Sequence, residues 1–465
     1  MPDQAHSSAP ISPAASNAAK LSNLTKLTTR NFHKKSVKFL NFAAVPLLLA
    51  NTAPDPAQLR ATVDKLVSFG TRHTLSTTTD PKRGIGAARN WVAAEFRKLG
   101  LTVERPSRSF TGPRAPKGVV VEDVLGILPG ERSDEVLIVA GHIDSRVTDV
   151  MDATSDAPGA NDDGSGVALV MEAARLMARE KHRATIVFAA LSGEEQGLWG
   201  GTLLAETAKA KGWKVAAMLN NDIVGNSVGT DGRRLNRYIR VFSEGIGLSQ
   251  DLAALKGVRQ IGGEDDSPSR ALAKRIGQVA NAGPAGKGGE LVVRADGFGA
   301  LLVRRSDRFG RGGDHTPLLE AGYPAVRFTS AVENYDAQHQ NLRTEGSRVF
   351  GDTADRMDFP YLASVTALNL ATLRGMADAP IAPAKLVLDG AVRSDTTATW
   401  TAVDGATGYR LRWRRADKQD WTDSKDVPAG TTSVVLPVVV DDTFIGVSAL
   451  GKGGAESLVT FGGLK

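Results

Sequence analysis

The chain reads GHIDS at Gly141–Ser145, GANDDGSG at Gly159–Gly166 and SGEEQG at Ser192–Gly197. The first and third motifs follow continuous apolar runs, Val136–Ala140 and Ala184–Leu191, which predict buried strands. A succession of strand, polar motif, helix and strand is typical of an open α/β sheet, which binds its ligands at the carboxyl ends of its strands. We therefore expect one histidine and several carboxylates to meet at one edge of a sheet.

The remaining pattern predicts a three-layer α/β/α sandwich around a mostly parallel, mixed sheet. Amphipathic or apolar periodicity predicts helices at Pro56–Phe69, Gly84–Leu99, Asp163–Arg179, Gln196–Lys211, Ser267–Val279 and Asp355–Met376. Further strands are predicted at Leu101–Glu104, Val119–Leu128, Val215–Asp222, Ile239–Phe242 and Ala325–Thr329. Glu290–Val303, between glycine-rich flanks, is left without an assignment.

The length of 465 residues predicts more than one domain. The run Ala379-Pro380-Ile381-Ala382-Pro383 indicates a linker between a first domain, 54–378, and a second, 379–465. Short β-rich runs in the second part predict a small all-β sandwich. Its Trp400 and the segment Gly-Tyr-Arg-Leu-Arg-Trp at Gly408–Trp413 resemble the core of a fibronectin type III module, and we expect no catalysis there.

Residues 1–53 are predicted to lie outside the folded domains. Residues 1–32 are rich in Ser, Ala, Asn and Thr, which predicts disorder. A basic stretch that includes Lys34 and Lys35 then precedes the apolar run Phe39–Ala50 and a small-residue exit, which together indicate a secretory signal peptide. The run is too short for an ordinary membrane span. A buried helix is the alternative. We expect a secreted or periplasmic protein with no stable membrane insertion after signal removal.

Composition excludes several kinds of function. The chain contains no cysteine, which excludes disulfides, thiolate metal sites and thiol catalysis. The 57 lysines and arginines are scattered, with a net charge of only +6, so no basic stripe predicts a nucleic-acid partner.

Each candidate metal ligand is weak evidence for a site by itself, but the whole set is strong evidence. His142 and Asp144 close the first strand, Glu194 and Glu195 close the next, and Asp222 closes a third. The alternative to metal binding is a purely structural role for the histidine and a solvated loop tip for the adjacent glutamates. Adjacent carboxylates repel each other unless cations hold them, and oxygen and imidazole donors suit metal ions. Such a cluster provides what water-activating hydrolysis needs.

The loop between these strands contributes two more carboxylates, Asp162 and Asp163. Asp163 is well placed to cap the following helix, which is a structural alternative to ligation. A phosphate-binding loop is excluded because no Gly-Lys-Ser/Thr follows the glycines.

In their order, GHIDS, APGANDDGSG and GEEQGLWG resemble the M28 family of zinc aminopeptidases, over roughly Pro56–Met376. The resemblance implies two zinc ions that share a bridging carboxylate, and it implies a role for each matched position. The bridging ligand corresponds to Asp162. The other ligands of one zinc correspond to His142 and Asp222, and those of the second zinc correspond to Glu195 and a late histidine. The general base corresponds to Glu194, and the carboxylate that orients the first histidine corresponds to Asp144. It also implies a cis peptide between Asp162 and Asp163.

Two histidines match the late position. We favour His339 in the segment Glu333–His339, on motif order and because it follows the end of a predicted strand. The family has its final ligand there, after an aromatic residue, here Tyr335. His315, in Gly313–Pro317, resembles a segment near the family's substrate pocket, so Asp314, His315 and Tyr335 are predicted pocket residues. The Asp-Thr pair that commonly follows the late ligand is displaced here to Asp352-Thr353.

The predicted function is that of an exported di-zinc aminopeptidase (hydrolase) acting on peptides or proteins with a free N-terminus. Glutaminyl cyclases resemble the family but use one zinc and form a ring. A carboxypeptidase of the same family and a secreted binding protein without catalysis are further alternatives. Peptidases of family M20 use similar ligand types but lack the GANDDGSG loop, so we rank them low.

Overall fold

Both faces of the central strand Arg132–His142 are buried. Leu137 and Val139 belong to one hydrophobic core, whereas Ile138 and Ala140 belong to a second core on the opposite face. Because successive side chains of a strand point to opposite faces, this sheet must be covered by helices on both sides.

The computed structural model describes residues 53–247, 250–280, 291–293 and 297–464, so the predicted N-terminal signal segment lies outside it. The residues in these ranges belong to one compact unit. The helices are α1 (Pro56–Val67), α2 (Gly84–Lys98), α3 (Gly164–Met177), α4 (Glu194–Gly197), α5 (Trp199–Ala210), α6 (Leu252–Gln260), α7 (Pro268–Ala280), α8 (His315–Glu320) and α9 (Phe359–Ala377).

The strands up to that last helix are β1 (Thr102–Glu104), β2 (Ser107–Gly112), β3 (Ala115–Glu122), β4 (Val124–Leu128), β5 (Arg132–His142), β6 (Ala184–Leu191), β7 (Lys214–Asn221), β8 (Tyr238–Phe242), β9 (Leu291–Val293), β10 (Gly299–Val303), β11 (Ala325–Ser330), β12 (Arg343–Glu345) and β13 (Arg348–Phe350). Nine of them form one sheet in the order β1-β4-β6-β5-β7-β11-β8-β10-β9. The four central strands β6, β5, β7 and β11 are parallel, while antiparallel pairs occur on both sides.

The helices form two layers. On one face, α1, α2, α3, α7 and α9 supply the first core, with Leu59 and Val170 among its fully buried residues. On the other face, α5 and α8 supply the second core, with Leu204 and Leu318. The predicted three-layer α/β/α sandwich around a mixed sheet is therefore confirmed.

Several predicted elements differ from the observed ones. The run Val119–Leu128 is two strands in different sheets, because the buried Asp123 lies between them and accepts a hydrogen bond from the Ser192 amide at 2.9 Å. The predicted helix Gln196–Lys211 is divided at Leu198, whose φ of 58° is left-handed. Short helix α8 was not predicted, and the unassigned stretch contains β9 and β10.

The C-terminal part consists of two small sheets. Its strands are β14 (Leu386–Asp389), β15 (Thr396–Trp400), β16 (Gly408–Arg415), β17 (Asp423–Pro428), β18 (Ser433–Leu436), β19 (Thr443–Leu450), β20 (Thr460–Phe461) and β21 (Gly463–Leu464). They pair in the orders β18-β15-β14-β21 and β17-β16-β19-β20. Trp400 packs edge-on against Tyr409, with ring centroids 5.4 Å apart, in a common core. The small all-β part is thus confirmed, whereas its fibronectin type III character and the boundary at 378/379 stay predictions.

None of the helices in the described ranges is both long enough and apolar enough to cross a membrane.

Candidate metal centre

Four neighbouring parallel strands deliver the candidate ligands to one edge of the sheet. His142 is the last residue of β5, Glu194 and Glu195 follow β6, and Asp222 follows β7. His339 lies in the loop after β11, where its φ of 55° places the backbone in the left-handed region. Because the carboxyl ends of parallel strands share an edge, residues nearly 200 positions apart meet there.

Asp162 lies between the two histidines. Its Oδ1 is 3.1 Å from Nε2 of His142, and its Oδ2 is 2.9 Å from Nε2 of His339. Nε2 of His339 is also 2.9 Å from Oε1 of Glu195, and Nε2 of His142 is 4.0 Å from Oδ1 of Asp222. One carboxylate thus faces two separate groups of donors, which is the arrangement of a bridging ligand.

The donor atoms fit metal ions better than they fit each other. Within the described part of the chain, Nε2 of His142 and Oε1 of Glu195 are buried and make no hydrogen bond, despite their close neighbours. Ligand atoms within 4.8 Å of one another define two groups, one of His142, Glu194 and Asp222 and one of Asp162, Glu195 and His339. Buried polar atoms without hydrogen bonds are costly, and coordination of zinc by imidazole and carboxylate would satisfy them.

The charge of the site also favours cations. Burial alone would lower the pKa of His339, but Glu195 and Asp162 raise it to about 10. Burial would likewise lower the pKa of His142, yet Asp144 and Asp162 hold it well above its usual value. An environment that favours a protonated imidazole so strongly also favours a bound metal ion, since both relieve the same excess of negative charge.

Asp144 holds the ends of two strands together. Its carboxylate accepts hydrogen bonds from the amides of Glu194 and Glu195, at 3.3 and 3.1 Å, and from the hydroxyl of Thr74 at 2.8 Å. Nδ1 of His142 lies 3.1 Å from the backbone carbonyl of Asp144 and 3.5 Å from its Oδ1. Burial would raise the pKa of Asp144, but these donors, His142 foremost, lower it. Asp144 thus lies where a carboxylate that orients His142 is expected, and it also fixes Glu194.

Asp163 caps α3, as the sequence predicts, and does more. One oxygen accepts from the amides of Gly166 and Ile223, at 2.9 and 3.2 Å, and the other accepts from the amide of His142 at 3.0 Å. Asp163 therefore joins the ends of β5 and β7 to the start of the helix. The peptide bond between Asp162 and Asp163 is cis, as the resemblance implies.

Two further side chains, Asp352 and Arg72, hold the GANDDGSG loop from outside. Oδ2 of Asp352 accepts from the amide of Asp162 at 2.7 Å, and Oδ1 accepts from that of Asn161 at 2.9 Å. The fully buried Arg72 donates to the carbonyls of Pro158 and Gly159 at 2.6 and 2.8 Å. The displaced Asp352-Thr353 pair thus places a carboxylate directly behind Asp162. Burial raises the pKa of this carboxyl to about 6.

Two arginines contact the outer sides of the ligands. Nε of Arg146 donates to Oε2 of Glu195 at 2.8 Å, and its terminal nitrogen lies 2.6 Å from Nδ1 of His339. The buried Arg327 pairs with Oδ1 of Asp222 at 2.7 Å. Neither arginine is among the predicted site residues, although the sequence contains a signal for each. Arg327 is a charge inside the apolar strand Ala325–Ser330, and Arg146 directly follows the first motif.

The three predicted pocket residues do not lie together. Asp314 and His315 are almost fully buried, so they do not line an open pocket; Asp314 accepts from the amide of Gly201 at 2.9 Å, and Nε2 of His315 lies 2.8 Å from the carbonyl of Ser306. Burial raises the pKa of Asp314 to about 7. Tyr335 is 58% exposed and lines a separate surface cleft.

Comparison with known proteins places this site in a family. The model of peptidase family M28 matches residues 123–234, which contain the three motifs. A "Probable zinc metalloprotease" from Leptosphaeria maculans is 43% identical over 412 residues, or 86% of this chain and 93% of that protein. The chain belongs to peptidase family M28. The resemblance carried by the three motifs is thereby confirmed.

Solved structures that resemble this M28 member include an aminopeptidase from Aneurinibacillus sp. strain AM-1, with a TM-score of 0.49 and 14% identity over 70% of this chain and 95% of that one. A glutaminyl cyclase from Porphyromonas gingivalis has a TM-score of 0.47 and 18% identity over 70% of this chain and 99% of that one. Neither likeness distinguishes between the two activities.

Proposed function

We propose that this M28 zinc metallopeptidase is a two-zinc aminopeptidase. The observation that carries the proposal is the position of Asp162, whose two oxygens lie 3.1 and 2.9 Å from the Nε2 atoms of His142 and His339. A one-metal site needs no carboxylate directed at two separate donor groups. In the proposal, Asp222 completes the group of His142, and Glu195 completes that of His339.

Zinc ions held there would acidify a water molecule and polarise the scissile carbonyl. Glu194 would accept the proton of that water and deliver it to the leaving amine. Burial, together with the neighbouring carboxylates Asp222 and Glu195, raises the pKa of Glu194 well above its usual value, although His142 opposes the shift. Zinc ions would oppose this shift, because their positive charge favours the ionised carboxylate that can act as the base. Asp144 would keep Glu194 in place through the backbone.

The preference for amino termini would come from the metal ions. Asp162, Glu194, Glu195 and Asp222 converge on one edge, and two zinc ions would offset their negative charge. One zinc ion would polarise the scissile carbonyl, and the other would hold the free, unprotonated α-amine of the substrate. The peptide would therefore bind with its first residue at the metal centre.

The test is metal content together with activity. We expect two zinc equivalents per chain by elemental analysis. Glu194→Gln should keep both and lower kcat on amino-acid anilides by about 10²- to 10⁴-fold. Glu131→Gln, an exposed control, should change neither. Full activity in Glu194→Gln would reject its role as the base. One zinc equivalent with cyclised products would instead identify a glutaminyl cyclase.

The direction of cleavage has its own test. Peptides with a free N-terminus and an amidated C-terminus should be shortened from the first residue, as read by mass spectrometry, because the centre would select the amine. Acetylated peptides with a free C-terminus should resist. The reverse pattern would make the protein a carboxypeptidase.

We also propose that the protein is exported. The basic stretch and the apolar run Phe39–Ala50 support this from the sequence, outside the residues that the structure describes. Expression of the full chain in a secreting host should yield a product in the medium that begins near Ala53. Retention in the cell with an intact N-terminus would refute export.

A further inference from the structure

We propose that a surface cleft lined by arginines binds a carboxylate of the peptide substrate, a specificity that rests on the proposed peptidase function. The cleft has a volume of about 530 Å³. Its wall contains five arginines against a single carboxylate, Glu333, together with three aromatic rings. The lining residues that carry the argument are Arg240, Arg304, Arg305, Arg308, Arg311 and Tyr335, and we call this site the arginine cleft.

Glu333 organises three of the arginines. Its carboxylate is almost fully buried, and it accepts hydrogen bonds from Arg240 at 2.7 Å, Arg311 at 3.1 Å and Arg308 at 3.3 Å. Arg308 also pairs with Asp307 at 3.2 Å, so two carboxylates face three guanidinium groups. Since each guanidinium has five N–H donors in a rigid fork, donors remain for a ligand.

The two other arginines add charge that Glu333 does not offset. Arg304 donates to Gln419 at 2.6 Å and lies 3.6 Å from Asp265. Within the described ranges, the exposed Arg305 has no carboxylate partner; its guanidinium lies 5.5 Å from the ring centroid of Phe309. Phe309 itself is 88% exposed. A positive, partly aromatic wall of this kind suits a carboxylate carried by a peptide.

The arginine cleft is connected to the metal centre. Arg308 contacts Asp307 at 3.2 Å, Asp307 contacts Arg327 at 3.2 Å, and Arg327 contacts the candidate ligand Asp222 at 2.7 Å. Tyr335 of the cleft and His339 of the centre also lie in the same loop after β11. The cleft and the metal centre are therefore neighbours, and in the proposal a peptide held at the centre reaches this positive wall.

The carboxylate has two sources, an acidic side chain or the C-terminus of a short peptide. Paired substrates distinguish them. One series exchanges Glu for Gln at each of the first three positions of an amidated peptide, and the other compares the free acid with the amide of a neutral tripeptide. We measure kcat/KM for each pair with the zinc-loaded full chain.

The charged member of at least one pair should be preferred, and the position of that pair identifies the source. The double variant Arg305→Gln/Arg311→Gln should reduce the preference by about threefold to tenfold, because each exposed ion pair contributes modestly. It should leave kcat/KM on the neutral members unchanged. Arg97→Gln, an exposed arginine of α2, removes a charge elsewhere and should change nothing. High salt should weaken the preference.

Equal rates for the charged and neutral members of every pair, or a preference that survives the double variant, would overturn the proposal. If no peptide is cleaved, the proposed function fails and the cleft is tested by binding. Fluorescence anisotropy of a dye-labelled Ala-Glu-Glu peptide and its Ala-Gln-Gln counterpart then decides. The proposal is supported if the wild type binds the acidic peptide more tightly and the double variant binds both peptides equally. Equal binding of the two peptides by the wild type overturns the proposal.

Discussion

Asp307 offers a test of how Arg327 is held beside the metal centre. Arg327 lies between two carboxylates, Asp307 at 3.2 Å and Asp222 at 2.7 Å. Burial alone would raise the pKa of Asp307, but Arg327, His315 and Arg308 lower it from 3.8 to about 2. A difference of roughly 2 pKa units corresponds to about 2.5 kcal/mol of folding free energy at neutral pH. Asp307→Asn should therefore destabilise the metal-free protein by about 2.5 kcal/mol at pH 7.

The pH dependence has a defined sign. The folded pKa of Asp307 lies below the unfolded value, so its contribution is complete above about pH 4 and lost as the pH falls through about 2. Urea unfolding of wild type and Asp307→Asn, with zinc removed by a chelator, should differ by only about half as much at pH 3 as at pH 7. Asp420→Asn, an exposed control, should match wild type at both pH values.

The same variant should weaken zinc binding. Without Asp307, Arg327 has Asp222 as its remaining carboxylate partner at bonding distance, and it would compete with zinc for that carboxylate. Titration against a zinc chelator measures the change in Kd. An equal loss of stability at pH 7 and pH 3, with zinc affinity unchanged, would refute this account of Arg327.

Two further predictions concern packing. A Cβ at Gly166 would overlap the backbone carbonyl of Asn221 and the carboxylate of Asp163. Gly166→Ala should therefore lower the free energy of unfolding by about 1–3 kcal/mol and lower the zinc content. The control Gly257→Ala, in open space on α6, should be neutral or slightly stabilising. Measurement is by urea unfolding and elemental analysis, and equal behaviour of the two variants would contradict the clash. Arg414 is buried and pairs with Asp266 at 2.6 Å across the junction with the C-terminal part. Arg414→Ala should therefore lower the free energy of unfolding by about 3 kcal/mol, measured by the same urea unfolding. An unchanged urea midpoint would contradict this prediction.

The layered fold could be predicted because its signals are local. Continuous apolar runs such as Ala184–Leu191, observed with these same bounds, predict strands that are buried on both faces. Caps such as Asp163 begin helices where the sequence expects them. The prediction of one strand for Val119–Leu128 is wrong because, in the sequence, Asp123 differs in no way from a single polar residue inside an apolar run. In the structure it is a buried acceptor for the amide of Ser192, which directly follows strand β6.

The sequence by itself determined the sheet, its helical layers and the motifs whose spacing brings His142, Glu194 and Asp222 to strand ends. Periodicity and motif order depend only on neighbours along the chain. The tertiary structure alone decided that Asp352 supports Asp162, that Arg146 and Arg327 contact candidate ligands, and that five arginines form one cleft. These contacts join distant segments, and their geometry depends on how the layers pack, so no local pattern in the sequence encodes them.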